Sequence, residues 1–160
     1  MIKENINDFF NDTQRIGPFL GIDLGEKRVG LSISDRTQSI ASNYATIEKK
    51  KFSLFSLDLQ AIIDKEIICG IVIGLPLNMD GSEGPKCQST RHFAKNFSTI
   101  VNLPITFWDE RLTTVAAERS LLSADLSRKK RKRVVDSVAA VLILQNLLDR
   151  LKYIQHKNTQ

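Results

Sequence analysis

The sequence predicts a single mixed α/β domain built around a five-stranded sheet. Three strand-like segments follow one another near the start, and after them helical and strand-like segments alternate. The strand-like run at residues 69–75 is apolar on both faces, which is typical of a strand in the parallel part of a sheet. A length of 160 residues suits one hydrophobic core, and we see no repeat or linker-like segment.

The first three strands are predicted to be antiparallel. Residues 18–24 and 28–34 have the composition of strands, and only the short connection at 25–27 separates them. A connection that short joins antiparallel neighbours. A third strand is expected at 42–48.

The rest of the chain is predicted to alternate between helix and strand. Apolar residues recur at helical spacing over 52–66, and the strand at 69–75 follows, which indicates a crossover into a parallel strand. A polar, glycine-rich loop covers 78–85. The expected later elements are a helix at 85–97, a strand at 104–109, a short helix from Thr113 or Thr114 to Leu122, and a long helix at about 132–153.

The first 17 residues are predicted to be an extension of the domain, which we place at 18–154. Ile2, Ile6 and Phe9 have helical spacing, which indicates a short amphipathic helix docked on the domain. The N-terminus holds acidic residues and no signal-like apolar stretch. The longest apolar stretch, at 67–77, is shorter than the ~20 residues of a membrane helix. We therefore expect a cytoplasmic protein without a membrane partner.

The charge pattern favours a nucleic-acid partner. The net charge is +5, and six consecutive basic residues precede the last helix: Arg128, Lys129, Lys130, Arg131, Lys132 and Arg133. Positive charge at a helix N-terminus is unfavourable for the helix, so helix stability does not explain the run. A phosphate backbone does, although a merely solvated segment stays an alternative. Lys27, Arg28 and Arg111 are further candidates for phosphate contacts.

Three acidic residues at the ends of separate elements suggest a metal-dependent nuclease. Asp23 closes the first strand, Glu110 follows the last strand, and Asp136 lies near the start of the long helix. At 3.6 residues per turn Asp136 shares a stripe with apolar residues that include Ala140, so it is predicted to point toward the sheet. Carboxylates at strand ends can converge at one edge of a sheet, where catalytic groups are usual in mixed α/β folds.

A structural interpretation of each acid stays open. Asp23 beside a glycine is also typical of a solvated turn. The segment 109–111, which is Asp-Glu-Arg, could form a surface salt bridge, and Asp136 could interact with the helix dipole. The loop at 74–84 lacks the ending of a phosphate-binding P-loop and is either a flap over a substrate strand or a plain connection.

Taken together, these segments resemble the YqgF family, also called RuvX, within the RNase H-like superfamily that includes the RuvC Holliday junction resolvases. The motifs that carry the resemblance are Gly21-Ile22-Asp23-Leu24-Gly25 with Arg28-Val29-Gly30, Gly74-Leu75-Pro76 with Asp80-Gly81-Ser82, Asp109-Glu110-Arg111-Leu112-Thr113-Thr114, and Asp136-x-x-Ala139-Ala140-x-x-Ile143-Leu144. They cover nearly all of residues 18–148.

The resemblance implies an RNase H-like five-stranded mixed sheet and a catalytic carboxylate site made of Asp23, Glu110 and Asp136. It also implies maturation of the 5′ end of the small-subunit ribosomal RNA precursor, with Holliday junction resolution as the alternative. We therefore expect structured RNA to be preferred over a four-way DNA junction, ribosomal particles as further partners, and a monomer or homodimer.

The same three acids are the expected metal ligands. Two divalent ions about 4 Å apart can activate the attacking water and stabilise the leaving oxygen of a phosphodiester. Mg²⁺ suits an all-oxygen site, with Mn²⁺ as its substitute. From the superfamily we take Asp23 as the bridging ligand, with one ion each on Glu110 and Asp136.

Two other classes of protein share parts of this pattern. A non-catalytic RNA-binding module would use the basic run for affinity alone, so its binding would depend steeply on salt but not on Asp23 or Asp136. An ATP-binding domain of the actin and sugar-kinase type also begins with a strand ending in Asp-x-Gly. That class needs two lobes, and 160 residues supply one.

Overall fold

The computed structural model describes residues 1–13, 16–112 and 128–160, with the side chains of the last range from residue 138 onward. It contains a six-stranded sheet with helices on both faces. The strands are β1 (Ile2–Lys3), β2 (Phe19–Leu24), β3 (Arg28–Ser34), β4 (Ala41–Glu48), β5 (Gly70–Leu75) and β6 (Ile105–Asp109). The described helices are α1 (Ile6–Asp12), α2 (Phe52–Glu66), α3 (Pro85–Ser98) and α4 (Arg128–Asn158), and a 3-10 turn spans Glu110–Leu112.

The sheet has the mixed topology that the sequence predicts. Its strand order is β1-β6-β5-β2-β3-β4. β2, β3 and β4 are antiparallel neighbours, whereas β5 runs parallel to β2 and β6 runs parallel to β5. The turn between β2 and β3 requires a glycine, because a β-carbon on Gly25 would lie 2.5 Å from the carbonyl oxygen of Arg28.

The prediction of five strands was one strand short. β1 pairs in parallel with β6, with Ile2 opposite Ile105. A two-residue strand is too short to show the alternation from which strands are recognised. The helix expected near the N-terminus is present as α1, and its Phe9 is fully buried with its ring 5.4 Å from that of Phe19.

Each face of the sheet has its own apolar core. On one face, α2 and α3 pack against alternate residues of the central strands, which include Ile22, Val29 and Ile73. On the other face, α4 and α1 pack against Phe19 and Val72. Residues that neighbour one another along a strand therefore serve opposite faces, and this alternation decides which face each site residue occupies.

Helix α4 lies very close to the sheet. The hydroxyl of Ser32, in β3, donates a 2.7 Å hydrogen bond to the carbonyl oxygen of Ala140. A β-carbon on Gly21 would lie 2.9 Å from Cβ of Leu144, so the glycine permits this approach. Farther along α4, the side-chain oxygen of Gln145 accepts a hydrogen bond from the amide of Ala41, at the end of the sheet where β2 begins. The residues of α4 that precede Ala140 therefore lie toward the end of the sheet where β2 ends.

Helix α4 begins at Arg128, four residues before the predicted start at 132, so the basic run forms its first turns. The short helix predicted from residue 113 or 114 to 122 lies outside the described residues. Among the helices that the structure describes, none is both long and apolar enough to cross a bilayer.

Candidate active site

Asp23 lies at the C-terminal end of β2, on the face covered by α4. It is opposite Gly30 of β3 and is only 5% exposed. Two residues earlier, Gly21 faces Leu144 of α4, and the alternation of a strand places Asp23 on that same face. Asp23 is therefore a buried carboxyl group at the C-terminal end of a central strand and not a solvated turn residue.

Glu110 extends over β5 toward Asp23. It begins the 3-10 turn after β6, and its Oε1 atom lies 2.8 Å from the position that a β-carbon on Gly74 would occupy. Gly74 follows Ile73, which pairs with Ile22, so Gly74 is the next residue across from Asp23. The Glu110 carboxylate over Gly74 and the side chain of Asp23 thus lie on the same face of the sheet, at the ends of the adjacent strands β5 and β2.

Asp136 lies in α4, one helical turn before Ala140. The bond from Ser32 fixes Ala140 against the sheet, and α4 runs from there toward the edge where β2 ends. The stripe predicted to face inward is buried at Ala140, Ile143 and Leu147. The side chain of Asp136 is outside the described part of the structure, so its meeting with the other two carboxylates stays a prediction.

The donor set of the three acids is compatible with a hard divalent cation. All the candidate ligands are carboxylate oxygens, which Mg²⁺ and Mn²⁺ prefer. Gly74 leaves open the space over β5 into which Glu110 reaches. Within the described residues no group of three or more His, Cys, Asp and Glu could hold a metal ion, and Asp136, whose side chain is not described, stays the predicted third ligand.

Arg111 holds the turn that carries Glu110. Its guanidinium donates to both carboxylate oxygens of Asp109, with Nη2 2.7 Å from Oδ2 and Nε 3.1 Å from Oδ1. This side-chain hydrogen bonding lowers the pKa of Asp109 below its ordinary value. The salt bridge considered for this segment is present between Asp109 and Arg111, whereas Glu110 points toward Gly74. A contact of Arg111 with nucleic acid stays a prediction.

The loop that follows β5 is tied to the same arginine. Nη1 of Arg111 donates to the carbonyl oxygen of Met79 at 3.5 Å and lies 3.2 Å from a β-carbon position on Gly81. Gly81 has a φ of 87°, a conformation that favours glycine. The amide and hydroxyl of Ser82 both donate to Asp80, and these bonds lower the pKa of the Asp80 carboxyl. A flap motion of this loop stays a prediction.

Two predicted phosphate ligands lie in or beside the β2–β3 turn. Lys27 is exposed, and Arg28 lies on the face of Ser32 and Gly30, which is the face of Asp23. Nη1 of Arg28 is buried, and no described residue accepts a hydrogen bond from it. The six residues of the basic run form the start of α4, but their side chains are not described.

The family profile described as "RuvX: Holliday junction resolvase" matches residues 17–150. This chain belongs to the RuvX family. A protein of Ruegeria pomeroyi named "Putative pre-16S rRNA nuclease" is 52% identical over 152 residues, which cover 95% of this chain and 99% of the relative. Relatives of the same name from Rhodobacter capsulatus and Paracoccus denitrificans are 53% and 50% identical, cover 96% of this chain, and are themselves covered to 97% and 98%.

Solved structures with this fold include RuvC from Thermus thermophilus. RuvC in complex with a Holliday junction substrate aligns with a TM-score of 0.54 at 10% identity, over 84% of this chain and 96% of RuvC. A second structure of that RuvC gives 0.50 at the same identity and coverage. The predicted RNase H-like fold of this RuvX-family chain is thereby confirmed.

Sequence reasoning missed two features beside the site. Gly74 belongs to the Gly74-Leu75-Pro76 motif, but a glycine inside an apolar strand does not by itself indicate that Glu110 occupies the space beside it. The groove between α2 and α3 was also missed, because Phe93 is distant in sequence from Lys49 and Phe52. The sequence feature that could have indicated this groove is Phe52, an aromatic residue at the start of a helix directly after three lysines.

Proposed function

We propose that this RuvX-family protein is a metal-dependent nuclease that cleaves phosphodiester bonds in the precursor of 16S ribosomal RNA during 5′-end processing. The observation that supports it best is the position of Glu110, which reaches over Gly74 toward the buried carboxyl group of Asp23. A solvated turn would leave Asp23 exposed, and a simple surface salt bridge would not place Glu110 over Gly74 on the face of Asp23.

The proposed ligands of Mg²⁺ or Mn²⁺ are Asp23, Glu110 and Asp136, with Asp23 as the ligand shared by two ions. Carboxylates that face one another repel, and a divalent cation offsets that repulsion. When bound, the metal supplies activation of the attacking water and stabilisation of the leaving oxygen. The chain itself positions the ligands: β2 buries Asp23, and the Asp109–Arg111 pair fixes the turn that carries Glu110.

The proposed RNA substrate rests on the relatives and on charge. Relatives about 50% identical over nearly the whole chain carry the name pre-16S rRNA nuclease. Lys27 and Arg28 lie beside the end of β2, and the basic run forms the first turns of α4, the helix that carries Asp136. Cations at this edge would hold phosphates of the substrate backbone on either side of the carboxylates.

Holliday junction resolution is the second candidate. The family description names it, and the fold is that of RuvC. A resolvase must cut two strands of one junction, so this function requires two copies of the active site and hence a dimer. A strictly monomeric protein would count against it.

The test compares the two substrates directly. End-labelled pre-16S rRNA and a synthetic four-way DNA junction are incubated with the protein in Mg²⁺, in Mn²⁺ and in EDTA. Asp23→Asn removes the proposed shared ligand, and Asp64→Asn, an exposed carboxylate of α2, is the matched control. We expect metal-dependent cutting of the RNA that Asp23→Asn abolishes and Asp64→Asn retains.

Each other outcome has a definite meaning. Cleavage of the DNA junction alone would favour Holliday junction resolution in DNA recombination as the function. Binding without cutting of either substrate, equally tight in Asp23→Asn and strongly salt-dependent, would mean a non-catalytic RNA-binding module.

A further inference from the structure

A groove of about 440 Å³ opens between α2 and α3, on the face of the sheet opposite α4. It lies beside the C-terminal end of β2, which also carries Asp23. We propose that it binds one unpaired nucleotide of the substrate strand, with the base against Phe52 and Phe93 and a neighbouring phosphate near Lys49 and Lys86. The inference rests on the proposed function in taking a nucleic acid as the substrate. It goes further, because it specifies that the strand is single beside the cleaved bond.

The apolar wall of the groove is aromatic and firmly supported. The rings of Phe52 and Phe93 meet edge to face, with their centroids 5.9 Å apart. Behind them, Phe93 contacts Phe55 at 5.4 Å and stacks on Phe97 at 5.5 Å, and both of these supporting rings are buried. Phe52 is 38% exposed at the first position of α2, so part of its ring is available to a flat, apolar ligand. Aromatic surfaces of this kind stack nucleobases irrespective of sequence.

Polar residues line the groove beside the aromatic wall. They include His92 and Asn96, whose Nε2 and Nδ2 atoms are 3.1 Å apart, and Ser89. Amides, imidazoles and hydroxyls are the groups that bond base edges in single-stranded nucleic acids. The volume is also within the usual range for small-ligand sites, so one nucleotide can enter.

The rim of the groove is mostly basic. Lys49, Lys50 and Lys86 line it, against the single acid Glu26. Each lysine has only a weak contact within the protein: Nζ of Lys49 is 3.3 Å from the carbonyl oxygen of Gly25, Lys50 is 3.3 Å from Asp58, and Lys86 is 3.6 Å from Glu26 with both side chains over 70% exposed. Exposed ion pairs of this kind contribute little to stability, so a phosphate can replace them at small cost.

The end of β2 joins the groove to the proposed active site. Leu24 lines the groove on the face of α2 and α3, whereas Asp23, the preceding residue, lies on the face of α4. A strand that crosses this edge can therefore place a phosphate at Asp23 and the adjoining nucleotide in the groove. A base that stacks on Phe52 must leave its own base stack, so the proposal takes the strand to be unpaired at this position.

The test measures binding and not cleavage. Fluorescence anisotropy follows a labelled single-stranded RNA octamer binding to the Asp23→Asn protein in EDTA. In that background, Phe52→Ala removes the exposed ring, and Leu54→Ala truncates an exposed residue of the same helix that does not line the groove. We expect Phe52→Ala to weaken binding by about tenfold and Leu54→Ala to change it less than about twofold.

The proposed phosphate contact of Lys86 is tested by the salt dependence of RNA binding. Lys86→Gln should reduce the dependence of log affinity on log salt by about 0.7, the value for one phosphate contact with a single strand. Lys95→Gln, an exposed residue of the same helix α3 outside the groove, should leave that slope unchanged. Equal slopes in the two variants would contradict the phosphate contact.

Further measurements keep the result independent of folding and of the nuclease proposal. Phe52→Tyr retains an aromatic face and should bind like the parent even where Phe52→Ala folds poorly. An RNA octamer containing 4-thiouridine should crosslink to the peptide around Phe52 or Phe93. Equal binding by the alanine variants of Phe52 and Leu54 would overturn the groove proposal. Adenosine monophosphate that binds as tightly as the octamer would also overturn it, because the groove would then hold a free nucleotide and not a strand. Loss of binding in Phe52→Ala by a protein that cleaves nothing would overturn the nuclease proposal alone.

Discussion

Oε1 of Glu110 lies 2.8 Å from the position that a β-carbon on Gly74 would occupy. The two residues belong to different elements, β5 and the 3-10 turn after β6, yet the missing side chain of one makes room for the carboxylate of the other. The same position lies even closer to Cδ1 of Ile143 in α4. Gly74 is thus the point where strand, helix and candidate active site meet.

Gly74→Ala should therefore impair both cleavage and stability. The added methyl group must displace the Glu110 carboxylate and the end of Ile143, since real β-carbons do not approach other atoms this closely. Overpacking of this kind typically costs about 1–3 kcal/mol. We expect loss of cleavage together with a lower free energy of unfolding, measured by urea denaturation.

The double variant Gly74→Ala/Ile143→Val separates the two effects. Ile143→Val removes Cδ1 and with it the closest contact of the new methyl group, so part of the lost stability should return. Cleavage should stay low, because Glu110 is still displaced. Recovery of cleavage along with stability would show that Glu110 does not need the space over Gly74.

Ser32→Ala should loosen α4 from the sheet. The substitution removes the buried 2.7 Å hydrogen bond to the carbonyl oxygen of Ala140 and is expected to cost about 1 kcal/mol of stability. Ser42→Ala is the control, because Ser42 is exposed and its hydroxyl lies 3.5 Å from its nearest acceptor, in Ile33. Equal unfolding midpoints for the two variants would contradict this role of Ser32.

Arg111→Ala should lower cleavage about tenfold if the arginine acts by positioning the turn that carries Glu110. Asp109→Asn should cause a similar loss, and the double variant should be no worse than either single variant, since both break one interaction. A direct phosphate contact would instead make only the arginine variant bind RNA with a reduced salt dependence. The measurement is single-turnover cleavage of the four proteins beside salt titrations of binding.

Asp35 should make part of the stability dependent on acid pH. Hydrogen bonds from the amides of Ile40 and Ser39 and from the hydroxyl of Thr37 lower the pKa of its carboxyl to about 2. Because the folded pKa lies below the unfolded value near 3.9, the stabilisation is present above about pH 4 and is lost as the pH falls toward 2.

Asp35→Asn tests this dependence. The difference in unfolding free energy between the parent and Asp35→Asn should be largest above about pH 4 and shrink below it. A difference that is constant from pH 5 to pH 2 would contradict the assignment. Asp64→Asn, in an exposed position of α2, serves as the control.

The sequence predicted the sheet well because its signals are local. The three-residue connection after Leu24 could join only antiparallel strands, and the doubly apolar run in β5 marked the parallel part, and both features are present. β1 was missed because two residues carry no periodicity. Its contribution is a long-range contact of Ile2 with Ile105, which no local pattern encodes.

The sequence indicated candidate residues for the site but not its geometry. Strand ends pointed to Asp23 and Glu110, since the C-terminal ends of parallel strands lie on the same side of a sheet, and the catalytic role of both residues stays a prediction. The reach of Glu110 over Gly74 and the aromatic pairing of Phe52 with Phe93 depend on packing between distant segments. Such contacts become visible only when the elements are assembled.

The most direct measurement of the central claim is the single-turnover rate of pre-16S rRNA cleavage in Mg²⁺ for Asp23→Asn, Glu110→Gln, Asp136→Asn and the control Asp64→Asn. Removal of a metal ligand is expected to cost at least about a hundredfold in rate, so the first three variants should all fall by that factor while the control matches the parent. A folded Glu110→Gln or Asp136→Asn protein that cleaves at the parental rate would contradict a three-carboxylate metal site.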